Sequence, residues 1–115
     1  MDPVELAAFK DKWQALITKL ADEFGEEPDL QAIIFLIGVQ ELGRGPQKFS
    51  KEEKQDLMHI ATCKLLSLFG YYLLEGKDED GWPHWTLVKQ LPPLTLREQD
   101  MLLKQAVIEY FEKEI

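Results

Sequence analysis

Two imidazoles, one thiol and a cluster of acids are the side chains in this sequence with chemistry to offer. His59 and Cys63 stand four residues apart, a spacing that puts both on one face of a helix. His84 sits in the stretch from Gly70 to Leu91, GYYLLEGKDEDGWPHWTLVKQL, with Tyr71, Tyr72, Asp78, Glu79, Asp80, Trp82 and Trp85. A thiol beside an imidazole can form a nucleophilic dyad. His59 and Cys63, with His84 as a third donor, could also ligate a metal.

Each of these chemistries is set against a plainer reading. Residues four apart on one helix align poorly for proton transfer, so a buried thiol near a hydrogen-bonded histidine is the expectation. No Cys-x-x-Cys or His-Glu-x-x-His pattern occurs, and no metal or other cofactor is expected. Asp78-Glu79-Asp80-Gly81 falls short of a calcium loop, because Gly76 and Leu87 occupy positions that need carboxylates. Arg44, Lys48 and Lys51, among Gly43 and Gly45, run into a helix start but lack the P-loop pattern. A solvated loop is expected there, with the acidic end of the last helix as one candidate internal partner.

The elements that must hold these residues read mostly as helices. Residues 3–24 carry an apolar face at spacings of three and four, with Asp2 as cap, Pro3 in the first turn and Gly25 as stop. Pro28 opens a second segment whose centre, Ile33 to Ile37, is apolar on every side. Pro28 in the first turn and Gly43 at the end favour a helix in the middle of the domain. Ser50-Lys51-Glu52-Glu53 starts a third helix, to about Gly70, and Thr95-x-x-Glu98 a fourth. Cys63, Ser67 and Gly70 mark a face that another element approaches closely. The acidic last turn (Glu109, Glu112, Glu114) opposes the helix dipole, so it frays or finds a basic partner.

Between the third and fourth helices, residues 71–77 and 82–89 are strand-prone and flank an Asp-Gly pair. A two-residue type I′ turn at Asp80-Gly81 predicts that Lys77 faces His84, Gly76 faces Trp85 and Leu74 faces Leu87. Leu74, Trp85 and Leu87 then share one face, with Gly76 making room for the Trp85 ring. Pro83 cannot donate to a ladder, so the second strand is at an edge or bulged. The fold class is therefore mainly α: a four-helix domain with one β-hairpin inserted between helices three and four, residues 1–115 forming one globular domain.

The helical run with Gly70-Tyr71-Tyr72, then Gly76, Asp78, Asp80-Gly81-Trp82-Pro83-His84-Trp85 and Leu91-Pro92, resembles a family of small bacterial helical proteins. The resemblance covers nearly the whole chain. It implies no established activity and carries over no functional residues.

A net charge of −8 opposes non-specific binding to nucleic acid or anionic membrane. One cysteine cannot form an internal disulfide, so a reducing, cytoplasmic compartment is expected. The first residues show no basic and apolar leader pattern, and the apolar run at 32–39 is too short to cross a membrane. The leading expectation is a non-enzymatic module that binds a protein partner through the hairpin, with Trp82, His84, Asp80, Trp85 and Tyr71 as binding residues. Trp82, at the turn beside charges, is expected to be an exposed anchor. The rival is a small-molecule or metal-assisted enzyme near His59, Cys63, Asp80 and His84. A homodimer through the apolar surfaces of helices two and four is a third reading.

Overall fold

The computed structural model describes residues 1–45 and 47–114, Glu114 by its backbone alone. Pro46, in the connector read as a loop, lies outside the described residues. Four helices, α1 (Pro3–Phe24), α2 (Leu30–Leu42), α3 (Lys51–Ser67) and α4 (Leu96–Glu114), are joined by an antiparallel hairpin of β1 (Tyr72–Lys77) and β2 (Pro83–Leu87) inserted in the chain between α3 and α4. The fold is mainly α, as the patterning predicts.

Each helix begins where a short polar side chain replaces missing backbone acceptors. The Asp2 carboxylate accepts the Glu5 N–H at 2.8 Å, and α1 ends at a left-handed Gly25. Ser50 and Glu53 bond each other's backbone N–H at the start of α3. Thr95 and Glu98 do the same ahead of α4, at 3.0 and 3.1 Å. At α2 the cap is Asp29, which accepts the Ala32 N–H at 2.8 Å. Pro28 thus precedes the cap and lies outside the helix, contrary to expectation. A hydrogen-bonding carboxylate outranks a proline as the starting signal.

The all-round apolar α2 takes the centre. Its Ile33, Ile34 and Ile37 join Leu20 of α1, Ala61 and Leu65 of α3, and Ala106, Val107, Tyr110 and Phe111 of α4 in one cluster. Helices α2 and α3 approach closely at Gly38 of α2. A Cβ there would stand 2.7 Å from the carbonyl carbon of Leu57 in α3. Of the small residues Cys63, Ser67 and Gly70, Cys63 does meet another element, through Tyr72 of the hairpin, whereas Gly70 does not mark such an approach. The helix ends at Ser67, and Gly70 lies beyond it in a left-handed turn where an added Cβ would meet nothing.

The acidic end of α4 finds lysines. Glu109 pairs with Lys113 at 2.9 Å and Glu112 with Lys12 of α1 at 3.9 Å. Such exposed pairs contribute little to stability. The Glu114 side chain is outside the described residues. Among the described residues no helix is long and apolar enough to cross a membrane.

A second, smaller cluster of Leu42, Leu57 and Ile60 sits at the other end of the α2–α3 contact. Trp82 and Trp85 of the hairpin pack on it. This contact fixes the hairpin tip against α3 and defines the site described next.

Candidate functional site

The hairpin tip is built on one carboxylate. Asp78 Oδ1 accepts the N–H groups of Asp80 and Trp82, each at 2.9 Å, and Oδ2 accepts from His84 Nε2 at 3.0 Å. The Gly81 N–H reaches the Asp78 carbonyl at 3.0 Å, and the Asp78 N–H reaches the Trp82 carbonyl at 3.0 Å. This is a three-residue loop, a turn closed by a left-handed glycine, Gly81 at φ 86°. The type I′ turn predicted at Asp80-Gly81 is therefore incorrect. It would require positive φ at Asp80, and among the described residues only glycines adopt it. Aspartate at the first turn position, with its side chain on the amides two and four residues on, stabilises the longer loop instead.

The longer loop changes the register. Lys77 pairs with Pro83, Gly76 with His84, Leu74 with Trp85 and Tyr72 with Leu87, with a bulge between Leu74 and Gly76. Glu75 is the extra residue, and its carboxylate accepts from the Thr86 hydroxyl. The bulge lies on the first strand, opposite the strand that carries Pro83. Gly76 therefore does not make room for Trp85. It stands at φ 144° in open space, where its backbone freedom is what the bulge uses. Nor is the predicted apolar face covered. Trp85 is half-buried, but Leu74 and Leu87 are 46% and 45% exposed.

Trp82 is half-buried rather than an exposed anchor, because it packs on the Leu42–Leu57–Ile60 cluster. Charged neighbours in sequence suggested exposure, whereas the contact that covers the ring comes from distant helices. The Arg44 guanidinium lies 5.9 Å from the Trp82 ring centroid and donates to the Asp80 carbonyl. Arg44 thus serves the hairpin tip, and not the acidic end of α4 that the sequence offered as a candidate partner.

Between the tip and α3 lies an open cavity of about 380 Å³, within the size range of small ligand sites. Helix α3 supplies Asp56, His59 and Ile60 at spacings of three and one, which lie on one helical face. The hairpin supplies Asp78, Trp82, Pro83, His84 and Trp85. Two carboxylates and two imidazoles thus rim a floor of two indoles and a buried proline ring. The Asp78 carboxyl is held below the usual carboxylate range, chiefly by the His84 hydrogen bond and then by the Trp82 and Asp80 amides. It is therefore an ionised acceptor at neutral pH, not a proton donor.

The Trp85 indole Nε1–H is the buried side-chain donor that finds no acceptor among the described residues. An unpaired buried donor costs roughly 1–3 kcal/mol. That cost is carried by a ring that lines the cavity.

Of the residues singled out from sequence, Trp82, His84 and Trp85 converge on this cavity and His59 joins them. Asp80 and Tyr71 do not. Asp80 contributes its backbone to the loop and to Arg44. Tyr71 closes the hairpin base, accepting from the Val88 N–H at 2.9 Å, with the Lys89 ammonium 4.8 Å from its ring centroid. Cys63 Sγ is 3.7 Å from His59 Nε2 but only 1% exposed. Burial pushes its thiol up to about 11, against a small opposing hydrogen bond from Tyr72. A protonated, occluded thiol is a poor nucleophile. Among the described residues no three of His, Cys, Asp and Glu are grouped to hold a metal. Sequence reasoning missed Asp78 and Asp56 as site residues. Asp78 was findable as the aspartate favoured at the first turn position, whereas Asp56 looked like any solvated helix residue.

Comparisons with protein families, with curated proteins and with solved structures find no match for this chain.

Proposed function

We propose that this protein is a non-enzymatic binding module that receives part of a protein partner in the cavity between the hairpin tip and α3. The observation that carries the reading is convergence: Trp82, Trp85, His84 and Asp78 from the hairpin meet Asp56 and His59 from α3 around one open concavity. The surface beside it supports a macromolecular partner. Four of the seven large apolar side chains exposed among the described residues, Leu73, Leu74, Leu87 and Val88, stand on the hairpin. Leu74 is paired directly with Trp85 across the strands. Apolar area next to an aromatic pocket with a polar rim is the common anatomy of an interface.

The ionised Asp78 and the protonated, occluded Cys63 also favour binding over catalysis. A displayed peptide library panned on the full chain, with each selected peptide retested on Asp56→Ala, tests the reading. The expected result is peptides whose affinity falls in Asp56→Ala while its thermal unfolding matches wild type. Peptides that bind both proteins equally would place recognition elsewhere and overturn it.

A further inference from the structure

We infer that the cavity takes a cationic side chain, an alkylguanidinium or alkylammonium, presented by a basic peptide segment of the partner. The inference rests on the binding reading above and specifies its ligand. Its first support is charge. Asp56 and Asp78 line the cavity, no lysine or arginine lines it among the described residues, and the chain as a whole carries −8. The field there attracts cations and disfavours acidic peptides.

The second support is that the other two tryptophans, and Tyr71, each carry an internal cation. Arg44 lies over Trp82, Lys89 over Tyr71 and Lys104 over Trp13, at 5.9, 4.8 and 5.4 Å from the ring centroids. Trp85 has no such internal cation among the described residues, yet it lines the cavity beside both aspartates. An indole with carboxylates at its margin is the environment in which a guanidinium gains both ring attraction and charge-assisted hydrogen bonds.

The third support points to a peptide rather than a free amine. The exposed Leu74 and Leu87 extend the contact beyond one side chain. Guanidinium is the better fit of the two cations, because its planar fork can bond a carboxylate while stacking on a ring.

The test is titration of the full chain with an acetylated, amidated Gly-Arg-Gly-Leu peptide, its citrulline counterpart and arginine amide, read by the indole N–H resonances. The arginine peptide is expected to move the Trp82 and Trp85 signals and to bind about tenfold or more tighter than the citrulline peptide. Asp56→Asn should lose several-fold of that preference, and added salt should weaken it. Equal binding of the arginine and citrulline peptides at Trp82 and Trp85 would overturn the cation inference and leave the binding module standing. Arginine amide binding as tightly as the peptide would overturn the peptide assignment. If no peptide moves either signal and the library also yields none that depends on Asp56, the binding reading and the inference fall together.

Discussion

Asp78 Oδ2 and His84 Nε2 lie 3.0 Å apart, and the same carboxylate holds the amides of Asp80 and Trp82 through its other oxygen. One side chain therefore sets the loop, aims His84 and fixes where Trp82 leaves the turn. Asp78→Ala is expected to speed hydrogen exchange at the Asp80 and Trp82 amides and to shift the Trp82 indole resonance. Asp78→Asn keeps an acceptor for those amides and should leave their exchange closer to wild type. Equal protection in wild type and Asp78→Ala would show that the tip does not depend on this carboxylate.

Glycines in two different situations should respond differently to alanine. At Gly38 the added Cβ meets the Leu57 backbone, which cannot rotate away, so α2 and α3 must separate. Overpacking of that kind costs about 1–3 kcal/mol or more. It exceeds the roughly 1 kcal/mol that alanine gains over glycine in a helix. At Gly76 there is space, and only the backbone conformation at φ 144° resists, at about 1–3 kcal/mol. Urea unfolding should show both variants destabilised, with core signals perturbed only in Gly38→Ala. A stabilised Gly38→Ala would contradict the described α2–α3 contact.

Cys63 should be inert in the folded protein. A thiol at about 11, compared with the ordinary 9.0, has about a hundredfold less thiolate at pH 8, before burial further restricts access. Its reaction with a disulfide reagent is expected to accelerate at least that much on adding denaturant. Rapid reaction under native conditions would show that the thiol is reachable, and would revive a nucleophilic role.

Stability should fall in acid for a reason that can be localised. Hydrogen bonds to the backbone hold Asp2, Glu53 and Glu98 below their ordinary values, and the His84 hydrogen bond leads for Asp78. A carboxyl whose folded value is depressed adds stability above its unfolded value, 3.8 for Asp or 4.5 for Glu. That contribution is lost as pH falls through the folded value. The urea midpoint is thus expected to drop below about pH 4.5. Glu53→Gln with Glu98→Gln should flatten the slope. Acid also relieves repulsion from the −8 charge, so an unchanged slope in the double variant would assign the pH dependence to repulsion and not to the caps.

Helices were legible because their signals are local. Capping at Asp2, Ser50 and Thr95 depends on residues three positions apart, and the apolar centre of α2 could only be buried. The hairpin was legible in existence but not in register. A two-residue and a three-residue loop both end in Gly81, and the choice turned on whether Asp78 could hold two amides. The cavity was half legible. Trp82, His84 and Trp85 stand close in sequence, but Asp56 and His59 arrive from α3, and only the docking of the hairpin on Leu57 and Ile60 brings the halves together.

The central claim is that this junction is where the protein binds, and three tryptophans make it directly measurable. Trp82 and Trp85 line the cavity, whereas Trp13 lies on α1 with Lys104 over its ring. Indole N–H resonances of the uniformly labelled chain, titrated with a library-selected peptide, should show the Trp82 and Trp85 signals moving together and saturating. The Trp13 signal should stay in place. Movement of Trp13 with Trp82 and Trp85 unmoved would put recognition on another surface and contradict the account.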